Sequence, residues 1–214
     1  MEKMKVITIL LLLLCGAWGC NRQPAASQST PTTVTTSATP GWLVYSNIGL
    51  GFRIAFPASW KEIDLNPDKI EASIRRVSKD PSLEQSLVRF AQSRVASGIQ
   101  FFMIDSGGLA MAQLVWKHGD PKSPVNLDSL AEGWTKNASS GGNQLIVAPL
   151  HTHATFPIGE AQEVRNATNE SATVLYLIAH ESDIYILTFN TNPQNTMRYD
   201  SLFVSIGRTM ESAR

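Results

Sequence analysis

An α+β fold, with helices layered against a mainly antiparallel sheet, is what the sequence predicts, and three observations carry it. Short runs of alternating or wholly apolar residues recur at 42–56, 99–117 and 143–189, the pattern of half-buried and buried strands. Several of these runs are separated by a few turn-forming residues, a gap that suits antiparallel neighbours, because parallel ones need a crossover of a dozen residues or more. Helical stripes collect at the beginning, middle and end of the folded region, without one following every strand.

The elements follow in order. WLVYSN (42–47) and GFRIAF (51–56) are two short strands around the turn-prone IGLG; Phe52, Ile54 and Phe56 share one face of the second. Pro57 ends that strand because it has no N–H for a ladder. Asn66-Pro67 and Asp80-Pro81 each set a capping side chain before a proline suited to the first helical position. The first helix carries Ile70, Ile74 and Val77 on one stripe; the second carries Leu83, Leu87, Phe90 and Ala91 and stops at Gly98. IQFFMID (99–105) and LAMAQLVWK (109–117) pair across Ser106, Gly107 and Gly108. A third helix at 126–137 turns Leu127, Leu130 and Trp134 inward, and NQLIVA (143–148) restarts the sheet. AQEVRNA (161–167), TVLYLIAH (173–180) and DIYILTF (183–189) form a meander with Glu181 and Ser182 in a tight reversal. A last helix over about 193–210 packs through Tyr199, Phe203, Ile206 and Met210.

Ahead of this region lies a leader. MEKMK carries two lysines, and the apolar run from Val6 to Leu14 is well short of the roughly 20 residues a spanning helix needs, so residues 1–19 read as a secretory signal. Ala17, Trp18, Gly19 and Cys20 resemble the lipobox of bacterial lipoproteins, which implies a diacylglycerol on Cys20. Cys15 leaves with the leader. No cysteine follows position 20, so no disulfide can form in the mature chain, and a lone exported thiol would be reactive. The plainer alternative is leader cleavage that leaves Cys20 as an idle thiol.

Residues 20–40 form the anchor and a tether rich in Ser, Thr and Pro, with little that could offset its ordering entropy. As a flexible coil it would hold the domain about 25 Å from its anchor. Residues 41–214 suffice for one core. Without the leader the chain keeps 16 basic and 17 acidic side chains, a balance that gives no footprint for nucleic acid. The expected location is the extracytoplasmic side of the cell membrane or outer membrane, with the lipid as the membrane contact.

GFRIAFPASW (51–60), after the Tyr-containing LVYSN, resembles the opening signature of PsbP/Mog1-like domains, G-F-x-I-x-F-P-x-x-W. FPIGEA (156–161) is similar to the step that begins the family's meander, and Tyr185 and Ile186, then Phe203, Ile206, Thr209 and Met210, fall where its closing motifs lie. The resemblance covers nearly all of 42–210. It implies an α/β/α sandwich with a central, mainly antiparallel sheet. It also implies a function of docking onto another macromolecule, since relatives include a photosystem II extrinsic subunit, a binder of a nuclear transport GTPase and exported lipoproteins.

Among candidate chemistries, His151 and His153 alternate as two ligands on one side of a strand would, although a metal site needs a third donor, and His118, Asp120, His180 and Glu181 are what the sequence offers. IGLGF (48–52) lacks the third glycine of a dinucleotide loop, and Ser139-Ser140-Gly141-Gly142 is no nucleophile elbow. Asp105-Ser106-Gly107-Gly108 reads as a hairpin turn. Trp60 and Trp134 fall on core faces, while Trp42 and Trp116 are candidates for partner binding. No nucleophile, base and orienting group share a recognisable spacing, so the sequence points away from an enzyme and calls for no cofactor. The expected activity is docking onto an envelope protein; the alternative is a small-ligand or metal-binding lipoprotein.

Overall fold

The computed structural model describes residues 32–78, 81–120, 125–140 and 145–213. These residues form an α+β fold of two antiparallel sheets and four α-helices. The smaller sheet is ordered β1 (Thr33–Thr36), β2 (Trp42–Asn47), β3 (Phe52–Pro57), β11 (Glu211–Ser212). The larger is ordered β4 (Lys61–Glu62), β5 (Phe101–Ile104), β6 (Ala110–His118), β10 (Asp183–Thr191), β9 (Ala172–His180), β8 (Gly159–Thr168), β7 (Leu145–Phe156).

The seven-stranded sheet is the middle layer, because both of its faces carry apolar side chains that need cover. On one face Phe101, Met103, Ala112, Leu114, Tyr176, Tyr185, Leu187 and Phe189 meet Phe52, Ile54, Phe56 and Trp60. The same core takes Tyr199, Phe203 and Ile206 from α4 (Thr196–Gly207). On the other face Phe102 and Ile104 pack against α1 (Ile70–Val77) and α2 (Pro81–Ala96), while Leu175 and Leu177 pack against Ala131 of α3 (Leu127–Ser140). Each large side chain buried this way contributes about 1.5–3 kcal/mol. Rings meet edge to face, as Tyr45 with Phe56 and Phe156 with Tyr176 do, or stack, as Phe189 with Phe203 do.

Most expected elements stand where the sequence places them, with instructive differences. The β2–β3 hairpin joins its own small sheet, so one outer layer of the sandwich is that sheet together with α4. Residues 33–36, inside the segment read as tether, pair with β2, from Thr33 opposite Ser46 to Thr36 opposite Leu43; all four are exposed, so no apolar pattern marks them. The helix expected after Asn66-Pro67 starts only at Ile70: the Asn66 side chain accepts from the Asp68 N–H and makes a turn first. The second helix does open on Pro81, and Gly98 follows its end with φ +85°. The strand restarting near 143 runs on to Phe156, and the final helix is preceded by a 3-10 turn at Pro193–Asn195, capped by Asn192. After α4 the chain adds β11 to β3, where the Thr209 hydroxyl accepts from the Ala55 N–H at 2.8 Å and Met210 is fully buried. At the β9–β10 reversal Glu181 takes φ 54°, the left-handed backbone that tight hairpins demand.

Candidate functional site

Cys20, the expected anchor, lies outside the described residues. The two tryptophans singled out for partner binding are both half-buried against the main core, and the fold does not bring them together. Trp42 opens β2 opposite Pro57, at the end of the small sheet away from the β2–β3 turn. Trp116 lies opposite Tyr185, whose hydroxyl donates to the Leu50 carbonyl at 2.8 Å, so it belongs to the end where that turn sits. Trp60 is buried and Trp134 packs beneath α3, as expected.

The turn end has the makings of a recognition surface. Ile48, at the tip of the β2–β3 turn, is 65% exposed, and Leu50 is only partly covered. The Trp116 backbone is clamped by the Gln100 amide, which donates to its carbonyl at 3.2 Å and accepts from its N–H at 2.8 Å. Its indole Nε1 is enclosed yet has no acceptor, an unmet donor of the kind that costs about 1–3 kcal/mol. Beside it the His118 ring lies 6.3 Å away, centre to centre, and its Nδ1 is 2.7 Å from the buried Asp183 carboxylate. The half-buried indole and an imidazole oriented by a carboxylate thus stand side by side at the end of the sheet where the exposed Ile48 turn sits.

His151 and His153 stand on β7, an edge strand, both exposed and both on the sheet face that α3 covers. The fold gives them different neighbours. His153 lies opposite Gln162, whose amide nitrogen is 2.9 Å from His153 Nδ1, 3.2 Å from Nε2 and 2.5 Å from Asp128 Oδ1 in the first turn of α3. His151 lies opposite Val164, two pairs farther along. Among the described residues no three His, Cys, Asp or Glu side chains gather closely enough to hold a metal ion. His118 is committed to Asp183 on β10, several strands away, so the sequence-nominated third ligands do not join the pair. Nothing in the sequence marked Asp128 or Gln162, because their meeting depends on how α3 crosses β8.

One buried carboxylate, Asp105, and one half-buried, Glu62, stand out elsewhere. Asp105 confirms the hairpin-turn reading: it accepts from the N–H groups of Leu109 (2.7 Å) and Ala110 (2.9 Å) and from the Tyr199 hydroxyl (2.7 Å). Burial first, then that bond and the Asp105 charge, push the Tyr199 hydroxyl up to about 12. Glu62 on β4 is pushed up to about 7, chiefly by burial; a hydrogen bond from Thr32 opposes this, and the Asp64 charge adds to it. On the α4 side of β7, Thr152, Phe156, Glu163, Tyr176 and Arg208 line a cleft of about 320 Å³, and next to it Arg165 is clamped between Glu163 and Asp200.

Among the described residues no helix is long and apolar enough to cross a membrane. No family model matches the chain, and no curated protein is similar to it in sequence. Its fold is PsbP-like. The solution structure of cyanobacterial PsbP (CyanoP) from Synechocystis sp. PCC 6803 superposes with a TM-score of 0.53 at 11% identity, covering 83% of this chain and 97% of that one. The crystal structure of LpqN, involved in cell envelope biogenesis of Mycobacterium tuberculosis, matches with a TM-score of 0.40 at 13% identity over 86% and 91% of the two chains.

Proposed function

We propose that this PsbP-like domain is a non-catalytic docking module held at the outer face of a bacterial membrane by a lipid on Cys20, and that it engages an envelope protein through the end of the sandwich carrying Ile48, Leu50 and Trp116. The observation that carries the reading is the Trp116 indole, half-buried opposite the Tyr185 that reaches the Leu50 carbonyl, at the end of the sandwich where the Ile48 tip is exposed. The indole presents a large apolar surface that a partner can cover, while the aliphatic rim excludes water. The lipobox-like leader supports the anchored location, and anchoring raises the local concentration of the module for anything in the same membrane.

The test is cross-linking in the native host followed by detergent extraction and mass spectrometry. Wild-type protein should bring down a discrete stoichiometric partner. Trp116→Ala should lose that partner while remaining folded and membrane-bound, and Cys20→Ala should move to the soluble fraction. A Trp116→Ala protein that retains the partner in full overturns the assigned surface; a Cys20→Ala protein that stays on the membrane overturns the anchor.

A further inference from the structure

We infer that the second half of β7 is a peptide-binding edge: an extended segment of a partner protein, carrying a carboxylate side chain, pairs alongside residues 151–156 and lies in the cleft on the α4 side. This surface stands apart from the end carrying Ile48 and Trp116 and does not rest on it. β7 is the last strand of the larger sheet, so one of its edges has no neighbouring strand. Folded proteins blunt such edges with charges, prolines or bulges. On β7 that protection stops halfway. The first half holds Pro149 and two breaks of register, between Leu145 and Val147 and between Val147 and Leu150. From Leu150 to Phe156 the pairing with β8 is unbroken, and this stretch has no proline and no Asp, Glu, Lys or Arg.

The backbone of this half is set to accept a further strand. Pro157 and Ile158 alone join β7 to β8, and a two-residue hairpin closes on a pair that exchanges both hydrogen bonds, Phe156 with Gly159. Such pairs alternate, so Ala154 and Thr152 also bond to β8, while the N–H and C=O groups of His151, His153 and Thr155 point outwards. Among the described residues no backbone hydrogen bond is formed to those outward groups. The cleft of about 320 Å³ runs along the same stretch: it is lined by every residue of β7 from Thr152 to Phe156, together with Val204 of α4 and Arg208, which caps that helix. In recognition by strand addition the main chain supplies affinity, and pockets for alternate side chains supply choice. Charge then selects the occupant. Glu163 in the cleft is already matched by Arg165, whereas Arg208 is exposed and forms no ion pair among the described residues. A carboxylate on the incoming strand, turned towards α4, answers it. The β7 of a second copy has neither Asp nor Glu, so pairing two copies through this edge leaves Arg208 unmatched.

The experiment pans a phage-displayed library of random peptides on the mature chain, then follows the best synthetic peptide by calorimetry and amide hydrogen exchange. Expected are peptides that contain Asp or Glu and bind one per chain, more weakly as salt is raised. On binding, the N–H groups of His151, His153 and Thr155 should gain about tenfold protection or more, while those of Thr152 and Ala154, already bonded within the sheet, change far less. Thr155→Pro, which removes one outward N–H on an edge where proline is tolerated, should weaken binding about tenfold. Arg208→Glu, a change at an exposed position that leaves the sheet untouched, should weaken it about fivefold or more. A library that yields no saturable binder, protection gained around Ile48 and Trp116 instead, or binding that either variant leaves intact overturns the site. Protection of His151, His153 and Thr155 that rises with protein concentration alone also overturns it, by giving the edge to a second copy.

Discussion

Replacing Glu62 with Gln should stabilise the protein at pH 8 and leave it unchanged at pH 4. Glu62 sits on the two-residue edge strand β4, partly buried next to Tyr45, with Thr32 donating to it and the Asp64 carboxylate nearby. Burial disfavours its charged form, so its carboxyl is held at about 7 in the folded chain against an ordinary 4.5. Between those two values the folded state binds more protons than the unfolded one, so this group makes stability fall as pH rises from about 4.5 to about 7. Each pH interval of one is worth 1.36 kcal/mol, which gives a loss of about 3 kcal/mol in full by pH 8. Gln keeps the shape and an acceptor for Thr32 without the charge. In urea melts at pH 4, 6 and 8, the variant should gain nothing, about half and about 2–3 kcal/mol relative to wild type. An equal effect at pH 4 and pH 8, or a variant weaker than wild type at pH 8, would refute the reasoning.

Two further substitutions test the packing that positions the surfaces described above. Tyr199→Phe removes the hydroxyl that ties α4 to Asp105 and should cost about 1.5–3 kcal/mol in the same melts, since the lost bond ends on a buried carboxylate; a change under 0.5 kcal/mol would show that the bond is not formed in solution. Gly159→Ala should destabilise by more than about 2 kcal/mol, because its new Cβ would meet the Ala179 carbonyl at 2.2 Å, and backbone cannot swing aside as a side-chain tip can; a wild-type Tm would mean that β8 and β9 are not held as closely as described.

The elements legible in the sequence are those whose side chains alternate or stripe against a core. Phe52, Ile54 and Phe56 announce β3, and Tyr199, Phe203 and Ile206 announce α4, since each pattern is the imprint of a buried face. β1 was not legible because TVTT is exposed at every position and is held through backbone pairing, which no side-chain period records. β11 is two residues long and half-buried, too short for any pattern. The candidate sites divide the same way. Trp116 could be nominated by residue type alone, but its nearness to the β2–β3 turn comes from the small sheet lying over the large one. The His153 partners are 25 residues back and 9 residues on in the chain, and their convergence depends on a helix crossing angle that local spacing does not encode.

The pairing of β1 with β2 also sets how far the domain can travel. With the chain fastened at Thr33, twelve residues separate it from Cys20, and a chain of that length spans at most about 45 Å however it is drawn out. On the proposed lipid anchor at Cys20, a partner of the module must therefore lie close to the bilayer. A pull between anchor and cargo loads the strip at its Thr33–Ser46 end, where pairs open one after another like a zip. Each pair released lets out slack before the core feels the tension, so the leash is short at rest and yields under load.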